Sequence, residues 1–206
     1  MVFIRTQTWN GVRTVLALSL IALLSGCAAA GAVSAVAQIA SFAMNATGMS
    51  KPIDPNATSN IPLKIVGSNT LNTDNKNHPF SVVIRIYQLK QSSMFQQAFY
   101  DIFLDPQREK EALGGDIIAV KDITLIPGQT YINVEKIAAT ADYVGVVALF
   151  HTPAAGRWKL IFPTKDNNKA GLTLGMNACS ITVTAGNTLE YTTNTQNMLK
   201  NPATCS

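Results

Sequence analysis

The 206-residue chain has few charged residues and few cysteines, and neither kind is evenly distributed. Charged residues make up 14% of the chain, and before Lys51 the only ones are Arg5 and Arg13, with no acid. Three cysteines are too few for a small fold held together mainly by disulfides. A hydrophobic content of 47% allows a buried core and argues against disorder of the whole chain. The length fits one domain with an added segment.

The sequence also lacks the residue spacings that most catalytic and metal sites require. His78 and His151 belong to no His-x-x-x-His or Cys-x-x-Cys pattern, and there is no Gly-x-Ser-x-Gly elbow or phosphate-binding loop. The run Arg108–Glu111 predicts a solvated helix face, and Asp74 lacks the spacing of a calcium loop. We therefore expect no enzyme, no metal, no cofactor and no small-molecule substrate. The scattered basic residues also argue against nucleic-acid binding.

The first 27 residues have the pattern of a bacterial lipoprotein signal. Arg5 and Arg13 precede an apolar run over residues 15–24, which is too short to span a membrane. The following Leu24–Cys27, Leu-Ser-Gly-Cys, resembles the lipobox, in which the Cys thiol receives the lipid. This predicts that residues 1–26 are a signal peptide and that Cys27 carries a covalent lipid. The absence of Asp after Cys27 favours sorting to the outer membrane.

Two alternatives remain open for this region. It could be an ordinary secretory signal with an incidental cysteine, or residues 15–44 could form one transmembrane helix. Gly26, Gly31 and the serines disfavour the membrane span, since small residues contribute little to insertion. We interpret residues 27–60 as a lipidated N-terminus followed by an Ala-rich tether and linker.

From Ile61 onward, short alternating segments separated by turn residues predict a mainly β domain, a sandwich or barrel, over residues 61–206. Leu63 and Ile65 indicate the first strand. In the next strand Phe80, Val82, Ile84 and Ile86 would share one face, opposite Arg85 and Tyr87. Further strands are predicted within residues 118–125, 129–134, 143–150, 158–162 and 181–184.

One segment departs from the β pattern. Residues 93–103 place Phe95, Ala98, Phe99 and Ile102 at helical spacing, which predicts one amphipathic helix with a packing face. Asp105 followed by a proline is typical of a second helix start, and that helix would end at Gly114–Gly115.

The two remaining cysteines, Cys179 and Cys205, form an even pair once Cys27 is lipidated. An oxidising compartment then predicts a disulfide between them. The bridge would close a loop of about 26 residues and contribute about 3–4 kcal/mol in the chain-entropy model. Two free thiols are the alternative.

Six segments in a fixed order resemble the type VI secretion lipoprotein family, TssJ, over roughly residues 61–163. They are Pro79–Lys90, Met94–Phe95, Ala98–Tyr100, Leu113–Asp116, Leu125–Gly128, and Tyr143–Phe150 with Trp158. The chain departs from the family at His151 and Lys159, where the family usually has Arg. The tail after Lys169 has no counterpart that we can assign.

The resemblance implies a transthyretin-like β-sandwich with a short inserted helical segment, in an outer-membrane lipoprotein that faces the periplasm. It implies that the partner is the periplasmic C-terminal region of TssM, in a membrane complex with TssL. In the family, the loop between the first two strands carries much of the TssM contact. Here that loop holds Asn69, Thr70, Leu71, Asn72, Thr73, Asp74, Asn75, Lys76 and Asn77. Leu71, the only apolar side chain among them, is the expected anchor in a partner pocket.

A periplasm-facing lipoprotein that binds a ligand or glycan is the alternative function. Trp158, Tyr143 or Tyr191 could stack on a sugar ring, although no carboxylate pair is placed with them.

Overall fold

A computed structural model describes residues 57–189 and 193–205. The predicted signal peptide, Cys27, the Ala-rich tether, the alternative membrane span over residues 15–44 and Tyr191 all lie outside these residues. Within the described part of the chain, no helix is long and apolar enough to cross a membrane.

In the described part of the chain, eight strands form two four-stranded sheets that pack into a sandwich. Sheet A has the order β4-β1-β7-β8, and sheet B has the order β3-β2-β5-β6. The strands are β1 Thr58–Gly67, β2 Val82–Leu89, β3 Ile117–Leu125, β4 Thr130–Ala138, β5 Tyr143–Ala148, β6 Lys159–Pro163, β7 Leu172–Met176 and β8 Ile181–Ala185. The predicted mainly β sandwich is therefore confirmed.

Strand β1 alternates cleanly between buried and exposed residues. Ile61, Leu63 and Ile65 face the core, and their neighbours face outward. The strand pairs antiparallel with β4 and parallel with β7. It begins at Thr58, three residues before Ile61, where the β domain was predicted to start. Strand β7, in the unassigned tail, was not predicted.

The core lies between the sheets and also beneath the helical segment. Val82, Ile84 and Ile86 are buried on one face of β2, as predicted. The predicted Phe80 position is wrong, because Phe80 precedes the strand and is 49% exposed. Tyr87, on the opposite face of β2, is fully buried. Strand β2 is thus covered on both faces.

Short helices follow β2. They are α1 Ser93–Gln97, a 3₁₀ helix Tyr100–Leu104 and α2 Pro106–Leu113; α3 Thr164–Asn167 and α4 Thr193–Leu199 come later. The single helix predicted over residues 93–103 is wrong, because Ala98 is extended and ends α1. This break leaves Phe99 76% exposed. The predicted start of α2 is confirmed, since the Asp105 carboxylate accepts hydrogen bonds from the N–H groups of Gln107 and Arg108.

We call residues 93–113 the helical cover, because they pack on the outer face of sheet B. Phe95 and Phe103 from the cover meet Tyr87 edge to face, with ring centroids 5.3 and 5.9 Å away. Strand β5 carries Gly145 at this contact, and a Cβ there would lie 2.6 Å from the Phe95 ring. The cover can therefore approach the sheet this closely only at a residue without a side chain.

Candidate partner-binding site

The predicted partner-binding loop connects β1 to β2 and begins with a buried residue. Leu71 is fully buried and belongs to the hydrophobic core. Its carbonyl accepts a hydrogen bond from the N–H of Phe80, which closes the loop. The expectation that Leu71 anchors in a partner pocket is therefore wrong. The burial of a leucine, worth about 1.5–3 kcal/mol, instead fixes the base of the loop to the sandwich.

Asn72 is also buried and connects the loop to neighbouring segments. Its side-chain amide donates to the Ser81 carbonyl at 2.7 Å, and its side-chain oxygen accepts from the N–H of His151 at 2.6 Å. Its own N–H donates to the Asn177 carbonyl at 3.1 Å. The backbone adopts a φ of 49°, a conformation that Asn tolerates better than most residues. Asn72 therefore positions the loop and does not present its amide to a partner.

The exposed tip of the loop is a turn organised by Asp74. One carboxylate oxygen accepts from the N–H groups of Lys76 and His78 at 2.8 and 2.9 Å. The other oxygen lies 3.1 Å from Nδ1 of His78. The N–H of His78 is the main reason why the pKa of Asp74 lies below its ordinary value. The turn is thus held by its own side chain, a recognised use of Asp in loops.

The nine predicted residues do not form one surface. Asn69 and Thr70 are exposed, and Asn69 approaches the β3–β4 turn at Gly128. Thr73 and Asp74 are half-buried on the other side of Leu71. The exposed residues at the tip are Asn75, Lys76 and Asn77.

The C-terminal tail lies beside this tip. The N–H of Thr73 donates to the Ala178 carbonyl at 3.1 Å, in the turn between β7 and β8. The next residue, Cys179, is joined by a disulfide to Cys205, with an S–S distance of 2.06 Å. The Ala203 N–H donates to the Ser180 hydroxyl at 3.0 Å. The bridge therefore holds the tail against the turn that supports the loop.

Loop and tail enclose a shallow concavity of about 330 Å³. Its lining residues come from the loop, from the segment after β5 and from the disulfide: Thr73, Asp74, Asn75, Asn77, Thr152, Cys179 and Cys205. Sequence reasoning found the loop and both cysteines, but it did not place them together. The contribution of Thr152 had no signal in the sequence.

Trp158, one of the residues named for the alternative glycan site, packs against other aromatic rings of the protein. Trp158 is buried, and its ring meets Tyr100 and Phe103 edge to face at 4.9 and 5.6 Å. A larger cavity of about 660 Å³ runs along the helical cover, with Phe99, Trp158 and Lys159 among its lining residues. The Trp158 ring face is thus used for packing within the protein, which argues against sugar stacking.

Lys159 lies on β6, lines this cavity and connects sheet B to the helical cover. Its ammonium group donates to the carbonyls of Phe95, Gln96 and Ala98 at 2.7, 2.7 and 2.6 Å. Burial lowers the pKa of Lys159 to about 8. The group is still mostly charged at neutral pH, when it has three N–H donors for the three carbonyls.

A second polar network lies under α2. Glu109 was predicted on a solvated face, but it is buried and accepts from Arg85 at 2.6 Å and from the Tyr87 hydroxyl at 3.0 Å. Burial, followed by the Glu109 charge, raises the pKa of Tyr87 above its ordinary value. Arg85 also lies 3.2 Å from Asp122 on β3. Each group in this network has a structural partner. The Glu109 carboxylate therefore attaches α2 to sheet B.

Within residues 57–189 and 193–205, no group of three or more His, Cys, Asp or Glu side chains could hold a metal ion. The polar side chains of the loop site can form hydrogen bonds with another protein surface. They offer neither a nucleophile with a base nor a closed pocket for a substrate.

Residues 59–179 match the model of the type VI secretion lipoprotein family, whose described members include VasD, EvfM and TssJ. The match covers more than half of the chain and contains the whole β1–β2 loop. It ends at Cys179, so the disulfide-linked tail lies beyond it. No curated protein sequence matches the chain significantly.

Solved structures of type VI secretion proteins are also similar to this chain. A chain from "T6SS protein TssM C-terminal domain (869-1107) from EAEC" is 27% identical, with a TM-score of 0.53, covering 61% of this chain and 97% of that one. A chain from "Type VI membrane complex" is 28% identical, with a TM-score of 0.56, covering 62% and 98%. TssJ1 from Pseudomonas aeruginosa is 19% identical, with a TM-score of 0.57, covering 64% and 98%, and shows the shared fold.

The order of motifs, the two-sheet sandwich with its helical cover and the family match agree with one another. The family is one of secretion-system lipoproteins and not of enzymes. The chain therefore belongs to the type VI secretion lipoprotein family and is a membrane-bound component of that system.

Proposed function

We propose that the protein anchors the periplasmic region of TssM to the outer membrane, in a trans-envelope complex that also contains TssL. Two of the similar solved structures are described as the TssM C-terminal domain and as a type VI membrane complex, which supports this choice of partner. The main support for the proposal is that the base of the β1–β2 loop is buried while its tip is exposed.

In this proposal the N-terminal quarter supplies the anchor. Residues 1–26 are removed as a signal peptide, Cys27 carries the lipid, and a tether ends where β1 begins at Thr58. The folded domain faces the periplasm. Its work is geometric, since a tether raises the effective concentration of the loop near a partner that spans the periplasm.

The loop suits this role because it is fixed before it binds. Burial of Leu71, the hydrogen bonds of Asn72 and the Asp74 turn restrain the backbone on both sides of the tip. A preformed loop loses less conformational entropy on binding than a flexible one. We propose Asn75, Lys76 and Asn77 as the primary contacts, with Thr73, Asp74 and Thr152 beside them. Asn69 and Thr70 would contact the partner at the edge of this interface.

The test is a triple variant, Asn75→Ala, Lys76→Ala and Asn77→Gly, assayed for binding to the purified periplasmic region of TssM. Glycine is chosen at position 77 because Asn77 has a φ of 62°. We expect the affinity to fall by about tenfold or more, since a few central residues supply most of the binding energy at an interface. The thermal midpoint should change little, because all three side chains are exposed.

The matched control is the double variant Asn168→Ala and Lys169→Ala. These residues are also an exposed Asn–Lys pair, but they precede β7, which runs parallel to β1. They therefore lie at the opposite end of sheet A from the loop. Equal affinities for the triple variant and the wild-type protein would contradict the proposed interface. The anchoring step is tested separately with Cys27→Ala, which should no longer incorporate fatty acid.

A further inference from the structure

The outer face of sheet A exposes apolar side chains that no other element of the described chain covers. Ile132 and Val134 on β4 are 73% and 54% exposed. The strand register places Ile132 opposite Lys64 and Val134 opposite Pro62 on β1. Residues directly opposite each other in a sheet share one face. We call this surface the open face; it consists of Pro62, Lys64, Val66, Ile132, Val134 and Lys136.

The open face is positively charged. Lys64 and Lys136 lie on it, and neither β1 nor β4 places an acidic residue there. The one acid of these two strands, Glu135, faces the other side of the sheet, where it lies 2.9 Å from Lys121. The surface thus combines exposed branched apolar side chains with two lysines and no opposing charge.

This combination fits an anionic lipid surface. Apolar side chains enter the boundary between headgroups and acyl chains, and long lysine side chains extend to the phosphates. A bilayer is also close by, because the chain is a lipoprotein. Ala57 comes thirty residues after Cys27, and thirty extended residues can span about 100 Å. The tether that leads into β1 is therefore long enough to let the sheet lie against the membrane.

We propose that the open face rests on the anionic phospholipid surface of the membrane that holds the lipid anchor. Ile132 and Val134 enter the interface, while Lys64 and Lys136 pair with lipid phosphates. Two residues of each kind give only a weak contact. The anchor compensates, because a covalent tether to the lipid raises the effective concentration of the open face at the membrane surface.

The contact would orient the domain. With sheet A flat on the bilayer, β1 runs along the membrane, and the loop at its C-terminal end points sideways and stays accessible. The proposal goes beyond the binding of TssM, and it can fail while that proposed function holds.

The experiment uses the processed, lipidated chain that begins at Cys27, in vesicles, with a single environment-sensitive fluorophore attached to a new cysteine. Val134→Cys reports on the open face. Val120→Cys is the matched control, because Val120 is a 43% exposed valine on β3, the edge strand of the other sheet. The disulfide between Cys179 and Cys205 and the lipid on Cys27 leave the new thiol as the reactive one.

In vesicles of phosphatidylethanolamine and phosphatidylglycerol, we expect a blue-shifted emission and quenching by a lipid-attached quencher at position 134 but not at 120. Both effects should weaken in vesicles of pure phosphatidylcholine, because this lipid carries no net negative charge. They should also weaken at high salt, because the electrostatic screening length shortens. Lys64→Gln or Lys136→Gln should reduce the membrane-contacting fraction by up to about fivefold each.

Equal quenching at the two positions, or quenching that is independent of anionic lipid, would overturn the proposal. So would protection of position 134 only after the periplasmic region of TssM is added, since the open face would then be a protein interface. Circular dichroism of each labelled variant establishes that the sandwich is folded, so that a lost signal is assigned to the contact.

Discussion

The outer face of sheet B is covered by helices, whereas the outer face of sheet A is exposed. On sheet B, the helical cover buries Tyr87 and brings Phe95 and Phe103 onto the strands. On sheet A, Ile132 and Val134 are exposed. The difference arises from chain connectivity, because the long segment between β2 and β3 folds back over its own sheet. A sheet built mainly from antiparallel pairs can leave one face exposed, but the buried polar groups of a covered face need hydrogen-bond partners.

The covered face meets this requirement with ionic groups. Arg85, Glu109 and Lys159 make hydrogen bonds between the cover and sheet B, and the aromatic rings fill the space between them. The open face needs no such partners within the described chain, because Lys64 and Lys136 are exposed. The covered face should therefore be sensitive to small changes that the open face tolerates.

The largest expected effect is the loss of a ring from the covered face. Phe103 is fully buried, and Phe103→Ala should lower the free energy of unfolding by about 3–5 kcal/mol, since it leaves a cavity. Ile132→Ala on the open face is the control and should change it by less than about 0.5 kcal/mol. Denaturant titration of both variants measures the contrast. Equal losses would mean that the cover contributes little to stability.

The next effect comes from adding one methyl group. A Cβ at position 145 would lie 2.6 and 2.8 Å from two Phe95 ring atoms, so Gly145→Ala should cost about 1–3 kcal/mol by overpacking. Gly115→Ala is the control, since a Cβ there meets nothing within 4 Å. Thermal unfolding followed by near-ultraviolet circular dichroism detects both the loss and a displaced cover. An unchanged midpoint in Gly145→Ala would show that the cover moves away from the sheet easily.

The smallest expected effect is a change in pH dependence. Burial lowers the pKa of Lys159 from 10.5 to about 8. Between these values the folded protein binds fewer protons at this site than the unfolded chain, so its contribution to the free energy of unfolding rises with pH. Below about pH 8 both states are protonated, and the burial penalty applies in full.

Lys159→Met removes this titration, so the difference in unfolding free energy between wild type and variant should move in favour of the wild type from about pH 8 upward. Denaturant titrations of the two proteins across that interval give the difference. A pH-independent difference would place the ammonium group in water rather than under the cover.

Much of the fold could be predicted from the sequence. Strands β1, β2 and β5 have the alternating or continuous apolar patterns expected of strands exposed on one face or buried on both, and Asp105 with its following proline marked the start of α2. Strand β7 was missed although Leu172, Leu174 and Met176 alternate with outward-facing residues, because glycine at position 175 is unfavourable in a strand and the family resemblance did not reach this tail. The break in the helix at Ala98 was missed because aromatic spacing alone does not reveal a bend in the backbone.

The candidate site was predicted in position but not in detail. Richness in Asn and Asp correctly indicated a loop, and the family resemblance assigned it a role. The inward direction of Leu71 and the burial of Asn72 depend on the β7–β8 turn, which is about a hundred residues away in the sequence. Residue type alone cannot report such a contact. The solvated assignment of Glu109 failed for the same reason, since Arg85 lies on a different element.

The sequence by itself determined the class of this protein. Its N-terminal quarter, which has no acidic residue and contains Leu24–Cys27, its period-two strands and its ordered motifs are local features, and local chemistry is what a sequence displays directly. Tertiary structure alone decided which sheet face is covered, which loop residues remain exposed and how the Cys179–Cys205 tail supports them. Those outcomes depend on packing between distant segments, and each is set by the burial of apolar area and the pairing of polar groups across the fold.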